Sequence, residues 1–465
     1  MRQQLASIGL LLTACGAGGP GVANGTQLVK SCRYDVHVVS QSPLRLQIDA
    51  ECRGVAVRGL EADDARVADH IAEVQDGARQ LERRGNAFML PQPAPRAHFR
   101  YDVNLEQLAQ QNDLDLALRS GDAVLAPSSS FLLYPLPLDL GIEVSVHFHT
   151  SAEVTISSGL MPKQDHFEVQ AHELGVATYT AFGRQSRREL RVDAAKLELA
   201  ILDGALALST DDIAAWAQRS ADAVSKFYGV PPAPHTSVFV LPVSGKDSVV
   251  FGKLLPESSP GIALLLGSNA AKAALDQDWV LVHELFHVGV PSFYGEGKWF
   301  DEGLATYFEP IIRARSGLLD EVELWREFSL AMPRAEAVFK QRGLEQAKDY
   351  LEIYWGGATF CLLADVAIRQ ASQGRVGLED GLRHVLRAGG QASEVWSLEK
   401  TLRLADEAFP EPVLLPLSAR HARRATPIDL AGLFHDLGVQ RVKNVVTLTD
   451  AAPLAQVRRA LLAAH

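Results

Sequence analysis

Two histidines four residues apart, His283 and His287, enclose Glu284 in the apolar run from Trp279 to Val290. On a helix of about 3.6 residues per turn, positions i and i+4 share a face, so the two imidazoles point the same way and can share one metal ion. Glu284 lies one step round the helix, badly placed to ligate beside them and well placed to take a proton from a metal-activated water. The flanking Trp279, Val280, Leu281, Val282, Leu285, Phe286 and Val288 would bury this helix. Three titratable groups buried without partners are costly, and a metal ion removes that cost. The alternative is a core helix whose polar side chains are satisfied by other protein groups.

A third ligand is offered by the segment Lys298 to Glu309, where Glu302 is the candidate. A second helix starting near Asp301 would place Glu302 in its first turn, where a carboxylate suits the helix dipole. Gly303 and Ala305 are small enough for close packing on the first helix. Between the two, Gly289 to Gly297 contains Pro291 and Gly295 and turns the chain back. Two histidines and one carboxylate leave the fourth position of a tetrahedral site open, which is a catalytic rather than a structural zinc pattern. Thr306, one turn after Glu302, is a candidate for supporting the ligands from behind, or a plain helix-surface threonine.

The pairing of His283-Glu284-Leu285-Phe286-His287 with Trp299-Phe300-Asp301-Glu302-Gly303-Leu304-Ala305-Thr306-Tyr307-Phe308-Glu309 resembles the gluzincin metallopeptidases, in particular the aminopeptidase N clan and its glycyl aminopeptidase relatives. The resemblance runs from about Ala195 to Arg387. It implies one zinc per chain, Glu302 as the third ligand, and a thermolysin-like α+β catalytic domain. It also implies hydrolysis of peptide bonds with Glu284 as general base. Downstream, Tyr354-Trp355-Gly356-Gly357-Ala358 looks like the clan's Tyr-x-x-Gly-Ala segment, whose tyrosine donates a hydrogen bond to the tetrahedral oxyanion. That role falls to Tyr354 by position, with Tyr350 as the rival donor.

One departure bears on substrate. Aminopeptidases of this clan carry a Gly-x-Met-Glu-Asn or Gly-Gly-x-Glu-His strand ahead of the zinc helix, whose glutamate grips the free amine of the substrate. The strand expected in that place, Pro260 to Gly267, has no carboxylate, and Glu257 just upstream is the remaining candidate. The expected function is therefore a zinc metallopeptidase acting on peptide or protein, without an evident amine anchor. Two alternatives stay open: an aminopeptidase whose anchor lies elsewhere, and a non-catalytic surface protein that uses a peptidase-like fold to bind peptide or envelope partners.

The elements that must position these residues begin after an export signal. Residues 1–14 combine Arg2 with an apolar core from Leu5 to Leu12, and Leu12-Thr13-Ala14-Cys15 looks like a bacterial lipobox. That resemblance implies lipid attachment at Cys15 and anchoring to a membrane without spanning it, with Gly16 in the next position favouring the outer membrane on its periplasmic side. A conventional signal cut near Ala23, giving a soluble periplasmic or secreted protein, is the alternative. Residues 15–28 are glycine-rich and form a tether. Cys32 and Cys52 flank two strand-like runs and suit a disulfide in an oxidising compartment, whereas Cys361 sits in an apolar helix as a buried thiol.

With 465 residues and 47% hydrophobic content the chain needs more than one core. Length and hydrophobic patterning predict a multidomain protein, with a β-rich N-terminal domain over 29–194 and an α-helical C-terminal domain over 319–465, and the resemblance implies a thermolysin-like catalytic domain over 195–318 between them. In the first, alternation such as Leu44, Leu46, Ile48 and Val144, Val146, Phe148 predicts strands. Helices are expected between Val67 and Arg84 and near Leu105 to Gln111, and a strand at His172 to Val176. His147 and His149 face one side of a strand but lack a third ligand nearby. In the second, a strand at Lys196 to Leu202, a helix from Thr210 to Tyr228, and strands at Ser237 to Leu241 and Ile262 to Leu266 lead to the zinc helix, with a loop up to Ser259. Helical periodicity then dominates from Phe308 to Ala388, and again over Glu394 to Ala408 and Leu430 to Leu437. The formal charge of -11 argues against a nucleic-acid partner. Oligomeric state is not legible.

Overall fold

The computed structural model describes residues 30–463 except 139–140, 152, 176–177, 258 and 294–295. The signal, the tether and Cys15 lie outside the described residues. Period-two alternation builds the first body. In the strand Ser31–Gln41, Cys32, Tyr34 and Val36 point inward, and in its antiparallel neighbour Leu44–Glu61 so do Leu44, Leu46, Ile48, Ala50 and Cys52. Cys32 falls directly opposite Cys52, and the two are joined in a disulfide. The sheet extends through Ala87–Val103 to Ile71–Asp76 on one side and through the parallel strand Glu143–His149 on the other.

The outer face of this sheet is charged. His37 and His149 stack at 4.4 Å, His149 Nε2 lies 2.7 Å from Asp35, and His147 stacks on His166 at 5.3 Å. His147 and His149 belong to this ring-and-carboxylate surface and not to the one group of metal-capable side chains found among the described residues.

Two local expectations in this region fail. The helix expected between Val67 and Arg84 is one turn, Ala65–Ala68, followed by the strands Ile71–Asp76, Arg79–Gln80 and Glu82–Arg84. The run Val67, Ile71, Val74 has helical spacing, but pairing of Ile71 with Val103 and the positive φ values at Glu73 and Gly77 override it. The strand expected at His172 to Val176 is instead a 3-10 turn, Ala171–Glu173, capped by the Glu173 carboxylate accepting the Gln170 N–H at 3.2 Å. The helix Leu105–Ala109 lies where one is expected.

The second sheet region has five strands in the order Gln185–Val192, Ala195–Leu202, His235–Val243, Gly261–Gly267, Val249–Leu255. The three inner strands are parallel and both edges antiparallel. Helix Thr210–Tyr228 begins where Ser209 Oγ accepts the Asp212 N–H at 3.1 Å and ends at Gly229, whose φ of 79° closes it. The stretch before Ser259, expected as loop, contains the edge strand Val249–Leu255. A small sheet containing Ala123–Pro127 and Tyr179–Phe182 lays Leu125, Tyr179 and Ala181 against Ala200, Phe239, Leu241 and Ala263, an apolar seam between the two bodies.

Beyond residue 300 the chain is mostly helical, with a hairpin of Val439–Val442 and Val445–Leu448 that periodicity did not indicate. One apolar core runs from Val192 to Leu461, straight across the boundary expected at 318–319. Inside it, Arg369 is fully buried between Asp365 at 3.0 Å and Glu379 at 2.7 Å, Arg315 reaches Glu379 at 2.6 Å, and Tyr307 donates to Asp365 at 2.9 Å. The helical stretch Leu351–Ala371 is long and apolar enough to cross a membrane, yet 67% of its most apolar window is buried inside this core. Cys361 is a buried free thiol.

Candidate metal centre

Four elements converge on one point. The helix Val280–His287 carries His283 and His287, and its apolar residues Leu281, Val282 and Phe286 are at most 1% exposed, so its direction is fixed by the core. Its first turn is held by Asp278, whose carboxylate accepts the N–H groups of Val280 and Leu281, each at 3.1 Å. Burial pushes the Asp278 carboxyl up to about 6. The helix Lys298–Arg315 brings Glu302 in its second turn position, a little later than its expected start at Asp301 would give.

His283 Nε2 lies 3.3 Å from His287 Nε2, and Glu302 Oε2 lies 3.4 Å from the first and 3.6 Å from the second. A tetrahedral ion with bonds of about 2.0–2.1 Å requires ligand atoms roughly 3.3–3.5 Å apart. The triangle fits zinc. His287 Nδ1 is 2.9 Å from Asp301 Oδ1 and donates its proton there, which leaves Nε2 with a lone pair facing the centre. Burial pushes the Glu302 carboxyl up, but the two imidazoles beside it win and hold it well below the usual carboxylate range. Two ring nitrogens and a carboxylate oxygen thus converge, a donor set that a cation completes.

Glu284 lies on the adjoining side. Its Oε2 accepts the Leu254 N–H of the edge strand Val249–Leu255 at 2.9 Å. Burial raises this carboxyl above its ordinary value, against the pull of His283 and His287. The edge strand comes so close because residue 252 is glycine: a Cβ there would fall 2.6 Å from Val280 Cγ1 and 2.8 Å from Glu284 Cγ. Since the amide of Leu254 turns outward, away from Gly261–Gly267, this strand and not Pro260 to Gly267 borders the metal triangle. It too lacks a carboxylate. Lys253 is ion-paired with Asp115 of the N-terminal body.

Tyr354 closes the site from a third side. It sits on a π-helical turn, Leu351–Gly356, that runs into helix Gly357–Ala371. Its ring lies parallel to His283 at 6.0 Å, with Tyr350 stacked behind it at 4.1 Å. Burial, then the Glu302 carboxylate, raises its phenol above the ordinary range, so it remains a proton donor. Close contact of two backbones sets its position: a Cβ on Gly303 would meet Gly357 at 2.5 Å, and one on Gly357 would meet Trp299 O at 1.9 Å. Thr306 is buried, but its hydroxyl has no hydrogen-bond partner among the described residues, and the support behind the ligands comes from Asp301. Asp301, Asp278 and Gly252 were not singled out as site residues from the sequence. For Asp301 the available signal was its place beside a ligand in a helix whose first turn faces the histidines. For Gly252 it was an isolated glycine in a short apolar run.

No family model matches the chain, and no curated protein is similar to it in sequence. Among solved structures the fold is similar to that of an aminopeptidase N family protein from Idiomarina loihiensis, with a TM-score of 0.68 at 16% identity over 88% of this chain and 78% of that one. It is also similar to an M1 zinc metallopeptidase from Deinococcus radiodurans, with a TM-score of 0.54 at 15% identity over 86% of this chain and 95% of that one. A mutant of the latter has been solved bound to a Tyr-Ser-Ala substrate, with the same TM-score of 0.54 to this chain. These likenesses establish the fold: a β-rich N-terminal region followed by a helical C-terminal region, arranged as in the M1 peptidases.

Proposed function

We propose that the chain is a zinc-dependent metallopeptidase that hydrolyses peptide bonds. The observation that carries this reading is the triangle of His283 Nε2, His287 Nε2 and Glu302 Oε2, with sides of 3.3, 3.4 and 3.6 Å, flanked by Glu284 and Tyr354. Zinc held there supplies Lewis acidity, polarising a carbonyl and making a water acidic near neutral pH. Glu284 takes the proton of the attacking water and returns it to the leaving nitrogen. The raised affinity of its carboxyl for a proton suits both steps. Tyr354 donates its phenol proton in a hydrogen bond to the oxygen on which charge develops. The outward-facing backbone of Gly252 is placed to pair with an extended substrate as a further strand would, while the Leu254 N–H is held by Glu284.

The substrate's amine finds no counter-charge on the edge strand, since Val249–Leu255 contains no carboxylate. Peptides with blocked N-termini are therefore expected as substrates alongside free ones. Support for an envelope location comes from the Leu12-Thr13-Ala14-Cys15 tetrapeptide, which we propose is lipidated at Cys15, and from the disulfide, which suits an oxidising compartment.

The deciding experiment is elemental analysis of the purified chain together with Glu302→Ala, followed by cleavage of blocked and free peptides with Glu284→Gln as control. About one zinc per chain, lost in Glu302→Ala, with cleavage that falls at least a thousandfold in Glu284→Gln, is the expected result. A parent chain that binds no zinc even when supplied with it would leave a non-catalytic binding protein as the better account. Cleavage of free peptides alone would make it an aminopeptidase with an anchor outside the edge strand.

A further inference from the structure

A half-enclosed cavity of about 280 Å³ opens where the loop after the edge strand meets the N-terminal body. Its wall joins Glu257 and Ser259 from one side to Gly159, Met161, Glu173 and Thr178 from the other. None of these residues belongs to the metal site. Glu257 is 8% exposed, and its Oε2 has no hydrogen-bond partner among the described residues. Thr178 is 1% exposed, and its Oγ1 likewise lacks a partner. Two glycines make room for that hydroxyl: a Cβ on Gly159 would fall 2.5 Å from it and one on Gly261 would fall 2.0 Å from it. A carboxyl and a hydroxyl buried in the wall of one cavity without partners are expensive unless a ligand satisfies them.

The charge around them decides the ligand's sign. Glu173 adds a second carboxylate, already committed to capping the Gln170 turn. Lys163 is engaged by Glu168 at 3.1 Å. The hydroxyl of Ser259 meets His235 Nδ1 at 2.7 Å, and His235 leans on Glu198 at 3.5 Å. No free cation faces Glu257 from these elements. Burial, then the nearby Glu173, pushes its carboxyl up to about 8. The remaining wall is the apolar Leu160 and Met161 together with Gln170.

We propose that this cavity binds a primary ammonium group on a short aliphatic chain, with Glu257 as its counter-charge and Thr178 Oγ1 as a second acceptor. Among the described residues too few ligand atoms converge there for a metal ion, and an anion would face the carboxylates of Glu257, Glu173 and Glu168. The ammonium can come from a free amine or from a lysine side chain of a peptide. Binding moves one proton: at neutral pH the Glu257 carboxyl holds its hydrogen, that O–H bond breaks when the ammonium arrives, and the proton passes to the buffer. The site stands independently of any metal chemistry.

The test is calorimetry on the full chain with n-butylamine, with Nα-acetyl-lysine amide, and with butyrate as the opposite-charge control, in buffers of different ionisation enthalpy. Both Glu257→Gln and Glu284→Gln are compared with the parent. The expected result is saturable butylammonium binding with release of about one proton at pH 7, weakened about tenfold or more in Glu257→Gln and unchanged in Glu284→Gln. Binding of butylammonium alone assigns the cavity to free amines, and binding of both assigns it to a lysine-bearing peptide. No saturation by either probe, proton release near zero, or equal affinity in Glu257→Gln overturns the proposal and leaves the cavity to water. Because Glu257 Oε2 has no hydrogen-bond partner among the described residues, the glutamine variant is expected to fold, which thermal melting checks.

Discussion

Asp301 and Glu302 are neighbours in sequence with different tasks. Glu302 faces the centre of the triangle, while Asp301 fixes the ring of His287 from behind at 2.9 Å. Asp301→Ala frees that imidazole to rotate and to carry its proton on either nitrogen. It should weaken zinc binding by about 10–100-fold while leaving all three ligands in place, as competition with a chelator would measure. Equal affinity in the two chains would show that packing alone orients His287. Glu257 makes a prediction of another kind. Its carboxyl titrates at about 8 in the fold against 4.5 when exposed, so the fold favours the protonated form. The stability this contributes is fully present below pH ~4.5 and is lost as pH rises through ~8. Glu257→Gln, which cannot ionise, should match the parent near pH 4.5 and exceed it by on the order of 4 kcal/mol above pH 8.5 in denaturant unfolding. A stability difference that does not change with pH would mean that Glu257 ionises freely.

At the scale of elements, two glycines carry the geometry. Gly303 and Gly357 let helix Lys298–Arg315 and helix Gly357–Ala371 touch backbone to backbone, which sets Tyr354 beside the ligands. Gly357→Ala should cost about 1–3 kcal/mol in stability and, in whatever folded protein remains, reduce turnover more than zinc content. A variant with full turnover would show that Tyr354 does not depend on this contact. The two ligand helices were legible because strong local signals agreed: period-3.6 burial, ligand spacing and a glycine-marked turn between them. The edge strand was not legible. Val249 to Leu255 contains a glycine and a lysine, and its solvent-facing side needs no apolar alternation, so it resembles a loop until its pairing with Gly261–Gly267 is seen. The run from Val67 to Arg84 failed for the opposite reason, since a helical pattern was present and long-range pairing with Ala87–Val103 outweighed it. Asp278 and Asp301 act through side-chain contacts that spacing alone does not encode.

The whole molecule has two principal cores joined by an apolar seam, and the second is a single unit from Val192 to Leu461. Its buried arginines bind it end to end. Arg315, on the helix that carries Glu302, donates to Leu461 O at 2.9 Å, and Arg369 donates to Ala460 O at 3.1 Å. A chain ending before Ala455 leaves both guanidinium groups short of partners deep in the core, at a cost of a few kcal/mol. Such a chain should bind little zinc although it keeps all three ligands, which elemental analysis of the truncated protein would show. Full zinc content in it would mean that the last helix is dispensable. The contacts that lock the glutamate helix join residues 146 positions apart, and those of Arg369 span 91. Synthesis runs from one end to the other, so the histidines and Glu302 leave the ribosome long before the segment that secures them. On the proposed function, the zinc ligands stay unsecured until the helix Ala455–Leu462 has been made and has docked.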